Sequence, residues 1–495
     1  MSSQSSAVKL SSAALNSYSA LVRVPRYNRS AVTSGIVHIG VGGFHRAHQA
    51  LYMDNYLEQN PDSDWGICGV GLLKYDKRMS DALHSQDCLY TLVERSPKND
   101  EPCVIGSITE YLFAPENPQQ VIDKLADERC RIVTLTITEG GYYVVEGTGE
   151  LDTENSVIQH DLQNPQEPEG VYGFLTAALR KRRDAGIVPF TVLSCDNIQG
   201  NGNVVGKMLT AFAKLQDPEM GKWIATNVEF PNCMVDRITP ATTPDDIEMV
   251  RDRFSIKDDW PVVAEPFTQW VVEDRFSAGR PNWESVGVQM TEDVHPYELM
   301  KIRLLNTGHL LVGYLGALLG YTHVHEAMAD EQIALATRKL MDEVTPTLQP
   351  LPDIDFEAYK STLIERFSNP KIRDQVARLC LGSSDKLPKW VLGSLSELME
   401  KDDSIEFLSF TVAAWFRYLQ GTNDQGQVME INDQMADQLT DLARSGGADP
   451  IQLLSLKAIF GDLVESSRFT ETVARYLKEL YKVGTRKTLT NLLAH

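Results

Sequence analysis

Short apolar runs rich in β-branched residues alternate with stretches of helical period through the first 290 residues. Strand-like runs lie at 36–39, 65–73, 130–138 and 188–197, and residues 171–186 form a helical stretch between two of them. Strands alternating with helices indicate βαβ units and a mainly parallel sheet covered on both faces. Ligands of such sheets bind at the carboxyl ends of the strands. We therefore expect the residues at these ends to face one crevice: Gly40, Gly42, Leu73, Asp76, Thr138, Glu139, Asp196 and Asn197.

The pattern changes after about residue 290, where long segments of helical period follow and β-rich runs become scarce. This change predicts an α/β domain over residues 1–292, with a loosely ordered lead-in over 1–30, and a mostly α-helical domain over 293–495. The segment 261–294 could extend the sheet of the first domain.

Charge and composition narrow the classes of partner. The 495 residues include 68 acidic and 47 basic ones, which gives a formal net charge of -21. Such a field repels nucleic acids and anionic membranes, so neither is expected as a partner. No apolar run has the length of a membrane span or a signal peptide, which predicts a soluble cytoplasmic protein. The seven cysteines form no CxxC pair, so neither disulfides nor a cysteine zinc site is expected.

A glycine-rich turn joins the strand at 36–39 to helix-compatible sequence. Gly40 and Gly42 match two glycines of the G-x-G-x-x-G fingerprint, whereas His45 stands at the third position. Backbone N–H groups and a helix N-terminus in this context hold a dinucleotide pyrophosphate. The predicted cofactor-binding residues here are Ile39, Gly40, Val41, Gly42, Gly43, Phe44 and Arg46.

Asp76 is the candidate for selecting between the two nicotinamide cofactors. An acidic residue after the second strand hydrogen-bonds the adenine ribose of NAD and repels the additional phosphate of NADP. Lys74, Lys77 and Arg78 flank Asp76 and could accept that phosphate. NAD is therefore favoured, with NADP as the alternative.

Lys301, Asn306 and His309 are polar residues in an otherwise apolar helical segment. At the α-helical rotation of about 100° per residue, Asn306 lies about 140° and His309 about 80° from Lys301, so one side of the helix carries all three. Buried polar groups need partners, and a small ligand could supply them.

Oxidation of a secondary alcohol by a nicotinamide requires this set of groups. It needs a base for the hydroxyl proton and donors that stabilise the alkoxide. Desolvation would favour the neutral amine of Lys301, which makes it the candidate base. Asn306 and Asn197 could stabilise the alkoxide, and His309 could bind an adjacent hydroxyl. Glu298 could relay the proton to solvent, although an exposed ion pair with Lys301 is an equal alternative.

A zinc mechanism is the chemical rival for alcohol oxidation. It needs three or four clustered ligands, and the sequence supplies weak candidates in two places, His45 with His48 and His323 with His325 and Glu326. No metal is therefore expected.

Several long motifs identify the chain as similar to a known family. With these motifs the chain closely resembles the polyol-specific long-chain dehydrogenases, over about residues 30 to 490: GIVHIGVGGFHRAHQA, WGICGVG, TLTITEGGY, SCDNIQGNG, MVDRITP, AEPFTQWVVEDRF, YELMKIRLLNTGH and RFSNPKIRDQVARLCLGSSDKLPK.

The resemblance implies a Rossmann-type N-terminal domain, a mostly helical C-terminal domain, no metal and a monomeric enzyme. It matches Lys301 to the catalytic base, Asn197 and Asn306 to the alkoxide-stabilising pair, and His309 to a substrate-binding histidine. It adds Asp236 and Arg378 as contacts to the polyol hydroxyls, for which a structural salt bridge is the alternative. Some members carry a second acidic residue where this chain has Tyr75, which weakens the argument for strict NAD selectivity.

The function that the resemblance implies is NAD-dependent interconversion of D-mannitol and D-fructose. An aldonate oxidoreductase of the fructuronate reductase type is an alternative, and it would need a cation for the substrate carboxylate, for which Arg373, Arg378 and Lys386 are candidates. Other polyols such as sorbitol or arabinitol remain open. A catalytically silent NAD-binding protein is the alternative from another class.

Overall fold

The structure is a computed structural model that describes residues 7–18, 22–145 and 147–494. The chain divides into two compact units, Met1–His295 and Pro296–His495. Unit 1 contains all the strands found in the described residues. They are β1 (Val8–Lys9), β2 (Ser34–Ile39), β3 (Gly66–Gly71), β4 (Tyr90–Arg95), β5 (Asp100–Ile105), β6 (Ile108–Phe113), β7 (Ile132–Leu135), β8 (Thr191–Ser194), β9 (Cys233–Asp236), β10 (Ile256–Lys257), β11 (Val262–Ala264), β12 (Gln269–Glu273) and β13 (Gln289–Thr291).

The main sheet has five parallel strands in the order β6-β3-β2-β7-β8. Numbered along the chain within this sheet, the order is 3-2-1-4-5, which is the order of a Rossmann dinucleotide-binding fold. The α/β prediction is confirmed, and each of the four predicted strands lies in this sheet. The sequence pattern did not single out β6, which follows an inserted β4-β5 hairpin.

The segment 261–294 does not extend the parallel sheet. Its strands build two smaller sheets instead, β11-β4-β5 and β13-β12-β9. The antiparallel pairing of β12 with β9 brings Gln269 opposite Asp236. The end of β9 therefore lies next to β12, a strand that the sequence pattern alone did not assign.

Helices cover both faces of the main sheet. The helices of unit 1 are α1 (Gly43–Ala47), α2 (Gln49–Gln59), α3 (Lys77–Ser85), α4 (Pro118–Ala126), α5 (Ser156–Gln163), α6 (Val171–Ala185), α7 (Asn201–Gln216), α8 (Pro218–Asn227) and α9 (Pro244–Phe254). Val37, Val133 and Val192 pack with α4, α6 and α7 on one face, while Ile36 and Ile132 pack with α2 on the other. Full burial of each such side chain contributes about 1.5–3 kcal/mol.

Several residues of the described lead-in segment pack onto the rest of unit 1. Strand β1 pairs in parallel with β10, and Leu10, Val22 and Tyr27 are buried. The Tyr27 hydroxyl donates to the Asp54 carboxylate (2.7 Å), which also accepts the Gly106 N–H (2.8 Å). These contacts anchor part of the predicted lead-in over residues 1–30, within the described ranges 7–18 and 22–30; its loose order stays a prediction. The serine-rich composition concealed the apolar anchors; residues 1–6 and 19–21 lie outside the described residues.

Unit 2 is helical, as predicted, and its described part contains isolated β-bridges but no strand. Two π-helical segments interrupt its helices, Lys301–Asn306 and Pro388–Leu392. The α-helices, the first of which begins at His295, are α10 (His295–Met300), α11 (Thr307–Leu319), α12 (Val324–Met328), α13 (Glu331–Val344), α14 (Phe356–Phe367), α15 (Val376–Leu379), α16 (Ser383–Leu387), α17 (Gly393–Glu400), α18 (Glu406–Tyr418), α19 (Ala436–Gly446), α20 (Ile451–Leu454), α21 (Lys457–Phe460) and α22 (Ser467–Leu493).

One continuous helix, His295–Leu319, is formed by α10, the first π-helical segment and α11. By length and hydropathy it could cross a membrane, but 83% of its apolar window is packed inside the protein. A helix that is apolar all round in this way is typical of the core of a large domain. The predicted site residues Lys301, Asn306 and His309 therefore lie on a core helix.

We expect Asp54→Ala to lower the free energy of unfolding by about 3 kcal/mol. The substitution leaves the Tyr27 hydroxyl and the Gly106 N–H buried without their acceptor, at about 1–3 kcal/mol for each group. Urea unfolding followed by circular dichroism measures the change. Asp62→Ala, at an exposed position of the same unit, should stay within about 0.5 kcal/mol of the wild type. Equal stability of the two variants would contradict the proposed anchoring of the lead-in.

Candidate active site

The glycine turn of unit 1 has a conformation that requires glycine at residue 40. Gly40 has a φ of +94°, and a Cβ atom there would lie 2.2 Å from the Thr136 carbonyl oxygen. The Gly40 N–H donates to the Val70 carbonyl (3.0 Å), and its carbonyl accepts the Thr136 hydroxyl (2.8 Å). Three neighbouring strands thus hold the turn at their carboxyl ends.

The turn leaves room for a bound group next to Gly42. The nearest atom to a Cβ atom built at Gly42 is a backbone oxygen 3.8 Å away, and α1 begins at the next residue, Gly43. The first N–H groups of a helix have no partners within the helix and attract anions. Ile39 and Val41 are buried beneath the turn, and the Phe44 ring stacks on His48 (centroids 4.9 Å apart). These residues fit the pyrophosphate of a dinucleotide.

His45, which stands in place of the third fingerprint glycine, packs against β2 through its ring. Its imidazole stacks on that of His38, with centroids 3.4 Å apart and an angle of 11° between the rings. Burial lowers the pKa of His38 to about 3, and burial together with His38 lowers the pKa of His45 well below its usual value. Two neutral rings therefore make the contact between helix and strand that a glycine makes in the fingerprint.

His38 also supports the glycine turn through a hydrogen-bonded chain. Its Nε2 lies 3.0 Å from the Thr136 hydroxyl, and its Nδ1 lies 2.8 Å from the Thr134 hydroxyl. Because the Thr136 hydroxyl donates to the Gly40 carbonyl, it accepts from Nε2, which assigns the ring proton of His38 to Nε2. The buried imidazole thus fixes the turn from below.

Arg46, a predicted cofactor-binding residue, has a buried guanidinium. Its Nη1 donates to the Trp260 carbonyl and its Nε to the Gly42 carbonyl (3.3 Å). The main-chain carbonyl of Arg46 accepts a hydrogen bond from the Tyr90 hydroxyl (2.7 Å). Burial lowers the pKa of Arg46. These contacts favour an indirect role, in which Arg46 supports the turn.

Asp76 follows β3 in a short 3-10 turn, which places it after the second strand of the sheet order. Its carboxylate accepts the Leu73 N–H (2.9 Å), and burial raises the pKa of that carboxyl. Two of the flanking bases have partners: Lys77 pairs with Asp81 (2.6 Å), and the Arg78 guanidinium lies over the Trp260 ring. The ion pair of Lys77 balances one positive charge, which reduces the cationic charge available for a phosphate beside Asp76.

Asp196 connects the ends of β7 and β8. Its carboxylate accepts the Ile137 N–H (2.9 Å), the Thr138 N–H (3.1 Å) and the Tyr142 hydroxyl (2.7 Å). Thr138 has a φ of +61°, which is unusual for a β-branched residue and is maintained by these contacts. The exposed Asn197 follows at once, so its backbone is held at the strand end. The predicted convergence of Gly40, Thr138, Asp196 and Asn197 at one edge of the sheet agrees with this geometry.

Asp236 is the last residue of β9 and is 5% exposed. The next residue, Arg237, directs its buried guanidinium to the carbonyls of Ala47 and Glu265 and to the Glu94 carboxylate. These bonds connect the end of β9 to α1 and β4, and they fix the backbone that carries Asp236.

In unit 2 the helix that carries Lys301 is π-helical where the sequence reading assumed an α-helix. Residues Lys301–Asn306 form π-turns, in which an N–H bonds the carbonyl five residues earlier. This bonding aligns residues that are five apart, as Lys301 and Asn306 are. The separation of about 140° that we expected is therefore wrong, and the two side chains are closer in register than an α-helix would allow. Lys301 is 7% and Asn306 6% exposed.

Arg303 anchors the π-turn inside unit 2. Its guanidinium donates to the Thr347 carbonyl (2.6 Å) and to both carboxylate oxygens of Glu397, at 2.9 Å for Oε2. A bidentate pair of this kind restrains the arginine in orientation as well as in distance. The anchor leaves the backbone little freedom to shift between Lys301 and Asn306.

His309 lies three residues beyond Asn306, in α11. Its imidazole stacks on the Phe367 ring, with centroids 4.1 Å apart. Gly313 and Gly316 of the same helix let α15 approach: a Cβ atom at Gly313 would be 2.9 Å from Leu379 Cβ, and one at Gly316 would be 3.0 Å from Val376. This close packing fixes α15, which carries Arg378.

Arg378 forms a bidentate ion pair with Asp374, at 2.6 Å for its Nε. Burial alone would raise the pKa of the Asp374 carboxyl, but Arg378 and the nearby His309 outweigh it and hold that pKa below its usual value. The Arg378 side chain remains 54% exposed. The ion pair uses two of the five N–H groups of the Arg378 guanidinium, so it is compatible with binding of a further ligand by Arg378. Asp374 was missed in the sequence, where its i,i+4 spacing to Arg378 was the available signal.

Glu298 lies in α10, one turn before Lys301, and is 7% exposed. The alternative of an exposed surface ion pair is therefore wrong. The buried carboxylate of Glu298, one turn before Lys301, is compatible with the predicted proton relay.

No group of three or more His, Cys, Asp or Glu side chains in the described part of the chain is arranged to hold a metal ion. All seven cysteines belong to that part, and they are buried and unbridged. The zinc candidates of the sequence, His45 with His48 and His323 with His325 and Glu326, do not form such a group.

Two family models match the chain in sequence. The mannitol dehydrogenase Rossmann domain matches residues 34–285, and the mannitol dehydrogenase C-terminal domain matches residues 293–481. Mannitol 2-dehydrogenase of Aspergillus fumigatus is 48% identical over 478 residues, which cover 95% of each chain. Mannitol dehydrogenase 2 of Saccharomyces cerevisiae is 47% identical over 487 residues, which cover 98% of this chain and 97% of its own.

Two solved structures share the fold over nearly the whole chain. Mannitol 2-dehydrogenase of Pseudomonas fluorescens, in a ternary complex with NAD and D-mannitol, is 45% identical with a TM-score of 0.88, and covers 98% of this chain and 100% of its own. A substrate-free D-sorbitol dehydrogenase is 37% identical with a TM-score of 0.92, and covers 97% of this chain and 100% of its own.

The stacked histidines make stability depend on pH. Their folded-state pKa values lie below the unfolded value of about 6.5, so stability is complete above that pH and falls as the pH decreases toward 3. Between pH 7.5 and 5.5 we expect His45→Phe to lose about 1.4 kcal/mol less stability than the wild type, because one buried titrating group is gone. Urea unfolding at the two pH values measures this, with the exposed His84→Phe as the control. Equal pH dependence in the wild type and His45→Phe would contradict a neutral buried His45.

Proposed function

The chain belongs to the mannitol dehydrogenase family, and we propose that it catalyses the NAD-dependent interconversion of D-mannitol and D-fructose. The observation that carries this proposal is the identity of 45–48% with mannitol 2-dehydrogenases over nearly the whole chain, together with Lys301 and Asn306 in register on a buried π-turn. The reaction is D-mannitol + NAD⁺ → D-fructose + NADH + H⁺, so the enzyme is a secondary-alcohol oxidoreductase.

Lys301 is the general base of the proposed mechanism. As the neutral amine it takes the proton of the C2 hydroxyl, and the ammonium returns that proton when fructose is reduced. Asn306 and Asn197 donate hydrogen bonds to the alkoxide that forms at O2, which stabilises the charge that develops before hydride transfer. Glu298, buried one turn before Lys301, carries the proton onward.

NAD⁺, when bound, would supply the hydride acceptor for C2. The glycine turn at 40–43 would hold its pyrophosphate through backbone N–H groups, with the turn supported by His38 and Thr136. Asp76 would accept hydrogen bonds from the hydroxyl groups of the adenine ribose and would disfavour the phosphate of NADP.

Three residues bind the remaining hydroxyls of the substrate in this proposal. His309 binds the hydroxyl next to C2, while Asp236 and Arg378 bind hydroxyls further along the chain. The ion pair of Arg378 with Asp374 favours a neutral polyol over an aldonate, since the guanidinium charge is already balanced by a carboxylate. The aldonate alternative would need Arg373 or Lys386 instead.

D-sorbitol oxidation is the second candidate, because the TM-score to the D-sorbitol dehydrogenase is 0.92. D-mannitol and D-sorbitol are epimers at C2, and oxidation of either at C2 gives D-fructose. Fructose reduction alone therefore does not distinguish the two functions, whereas polyol oxidation does. Discrimination between the epimers depends on the partners of one hydroxyl group.

We also propose that the enzyme acts as a monomer in the cytoplasm. The seven buried, unbridged cysteines are compatible with a reducing compartment. Size-exclusion chromatography with light scattering tests the monomer, for which a mass of one chain is expected and a mass of two or more would reject it.

In initial-rate assays that follow NADH formation, we expect D-mannitol with NAD⁺ to be the best pair. Its kcat/KM should exceed that of D-sorbitol and that of NADP⁺ by at least about tenfold, because one mispartnered hydroxyl or a phosphate beside Asp76 costs about 1–3 kcal/mol. D-fructuronate reduction with NADH is the parallel assay. Preference for sorbitol would move the function to the second candidate, and turnover of fructuronate alone would support the aldonate alternative. NAD(H) binding without turnover of any of these substrates would support a silent binding protein.

Replacement of Lys301 should greatly slow the oxidation step and preserve cofactor binding. We expect Lys301→Ala to reduce kcat for mannitol oxidation by at least about 100-fold, since proton removal by the base contributes about 10²–10⁴-fold, while the Kd for NADH stays within about twofold. In the wild type, kcat/KM for oxidation should rise with pH as Lys301 loses its proton, and fructose reduction should fall. Turnover of Lys301→Ala within about tenfold of the wild type would exclude Lys301 as the base.

A further inference from the structure

The second π-helical segment of unit 2, Pro388–Leu392, lies between α16 and α17. Pro388 has no N–H, and its ring does not fit the α-helical position that follows α16. A π-turn is one of the ways in which a helix accommodates such an interruption. Unit 2 thus contains two π-helical segments among its described residues, and one of them carries Lys301.

Thr307 connects the two π-helical segments. It is fully buried, and its hydroxyl lies 2.7 Å from the Trp390 carbonyl and 3.1 Å from the Ile302 carbonyl. The Thr307 N–H also donates to the Ile302 carbonyl, five residues earlier. The hydroxyl has one proton, and the shorter contact assigns it to Trp390. One side chain therefore joins the last π-turn of the base-bearing segment to the backbone of the other segment.

This bonding differs from that of other buried threonines in unit 2. The hydroxyls of Thr337 and Thr411 each donate to the carbonyl four residues earlier in the same helix, both at 2.8 Å. A threonine inside an α-helix makes this local bond by default. The shorter bond of the Thr307 hydroxyl is instead to the Trp390 carbonyl, outside its own helix.

We propose that Thr307 is a positioning residue that maintains the π-turn between Lys301 and Asn306 through its hydrogen bond to Trp390. The inference rests on the proposed role of Lys301 as the base. Without the hydroxyl, the added residue of the π-turn is no longer held at this place, and the helix relaxes toward α-helical bonding. Lys301 and Asn306 then rotate apart. A displacement of about 1 Å in a catalytic group costs about 100-fold in rate.

Three variants test the proposal. Thr307→Val has nearly the same shape and lacks the hydroxyl, whereas Thr307→Ser retains the hydroxyl. Thr411→Val is the matched control, since it removes a fully buried hydroxyl that bonds within its own helix, α18. The measurements are kcat and KM for mannitol oxidation at saturating NAD⁺, the Kd for NADH, and amide hydrogen exchange of the peptide that spans residues 296–310.

We expect Thr307→Val to lose about 10- to 100-fold in kcat, with KM and the Kd for NADH changed by less than about threefold. Its 296–310 peptide should exchange faster than in the wild type. In Thr307→Ser, kcat and the exchange rate of the 296–310 peptide should stay within about threefold of the wild type. Thr411→Val should leave kcat and this exchange rate unchanged. Wild-type kcat and exchange in Thr307→Val would overturn the proposal, and so would an equal loss in Thr411→Val.

Failure of the proposed function gives a different result. If the wild type turns over no mannitol, or if Lys301→Ala remains active, the role of the base fails while the exchange measurement still tests the link from Thr307 to the π-turn. Faster exchange of the 296–310 peptide in Thr307→Val, with wild-type kcat, would show a structural link without a positioning role.

Discussion

The structure of unit 2 depends on one constraint, which is that a π-turn has to be held inside a buried helix. A π-turn lacks the regular bonding of its neighbours, so it persists where other contacts determine it. Arg303 supplies one such contact through Glu397 and Thr347, and Thr307 supplies another through Trp390. The result is that Lys301 and Asn306, five residues apart, are aligned on one side of a core helix.

In unit 1, buried polar groups hold the glycine turn in place. The glycine turn needs an open space above it and a rigid support below, and His38 provides the support through Thr136. His45 replaces a fingerprint glycine by stacking on His38, so the contact between helix and strand is aromatic. Because both imidazoles are neutral in the folded protein, the free energy of unfolding decreases when the pH falls. This dependence links the geometry of the cofactor site to pH.

Much of the fold could be predicted from the sequence because the strands are short, apolar and regularly spaced, and the glycine turn follows one of them. The long motifs pointed to the family. The chemistry of alcohol oxidation indicated the proposed roles of Lys301, Asn197, Asn306 and His309, and the resemblance matched them. The π-turn could not be predicted, since its letters, KIRLLN, are ordinary helix formers and the deviation arises from contacts to Glu397 and Trp390 far along the chain. The anchored lead-in was missed for the same reason, because tertiary contacts hold it, whereas Asp374 was missed although its i,i+4 spacing to Arg378 was a local signal.

The most direct test of this account is a crystal structure at a resolution that shows the main-chain hydrogen bonds of residues 301–307. We expect the Thr307 N–H to bond the Ile302 carbonyl, five residues earlier, and the side chains of Lys301 and Asn306 to lie on the same side of the helix. An α-helical segment, in which the Thr307 N–H bonds the Arg303 carbonyl and the side chains of Lys301 and Asn306 lie about 140° apart, would contradict the account.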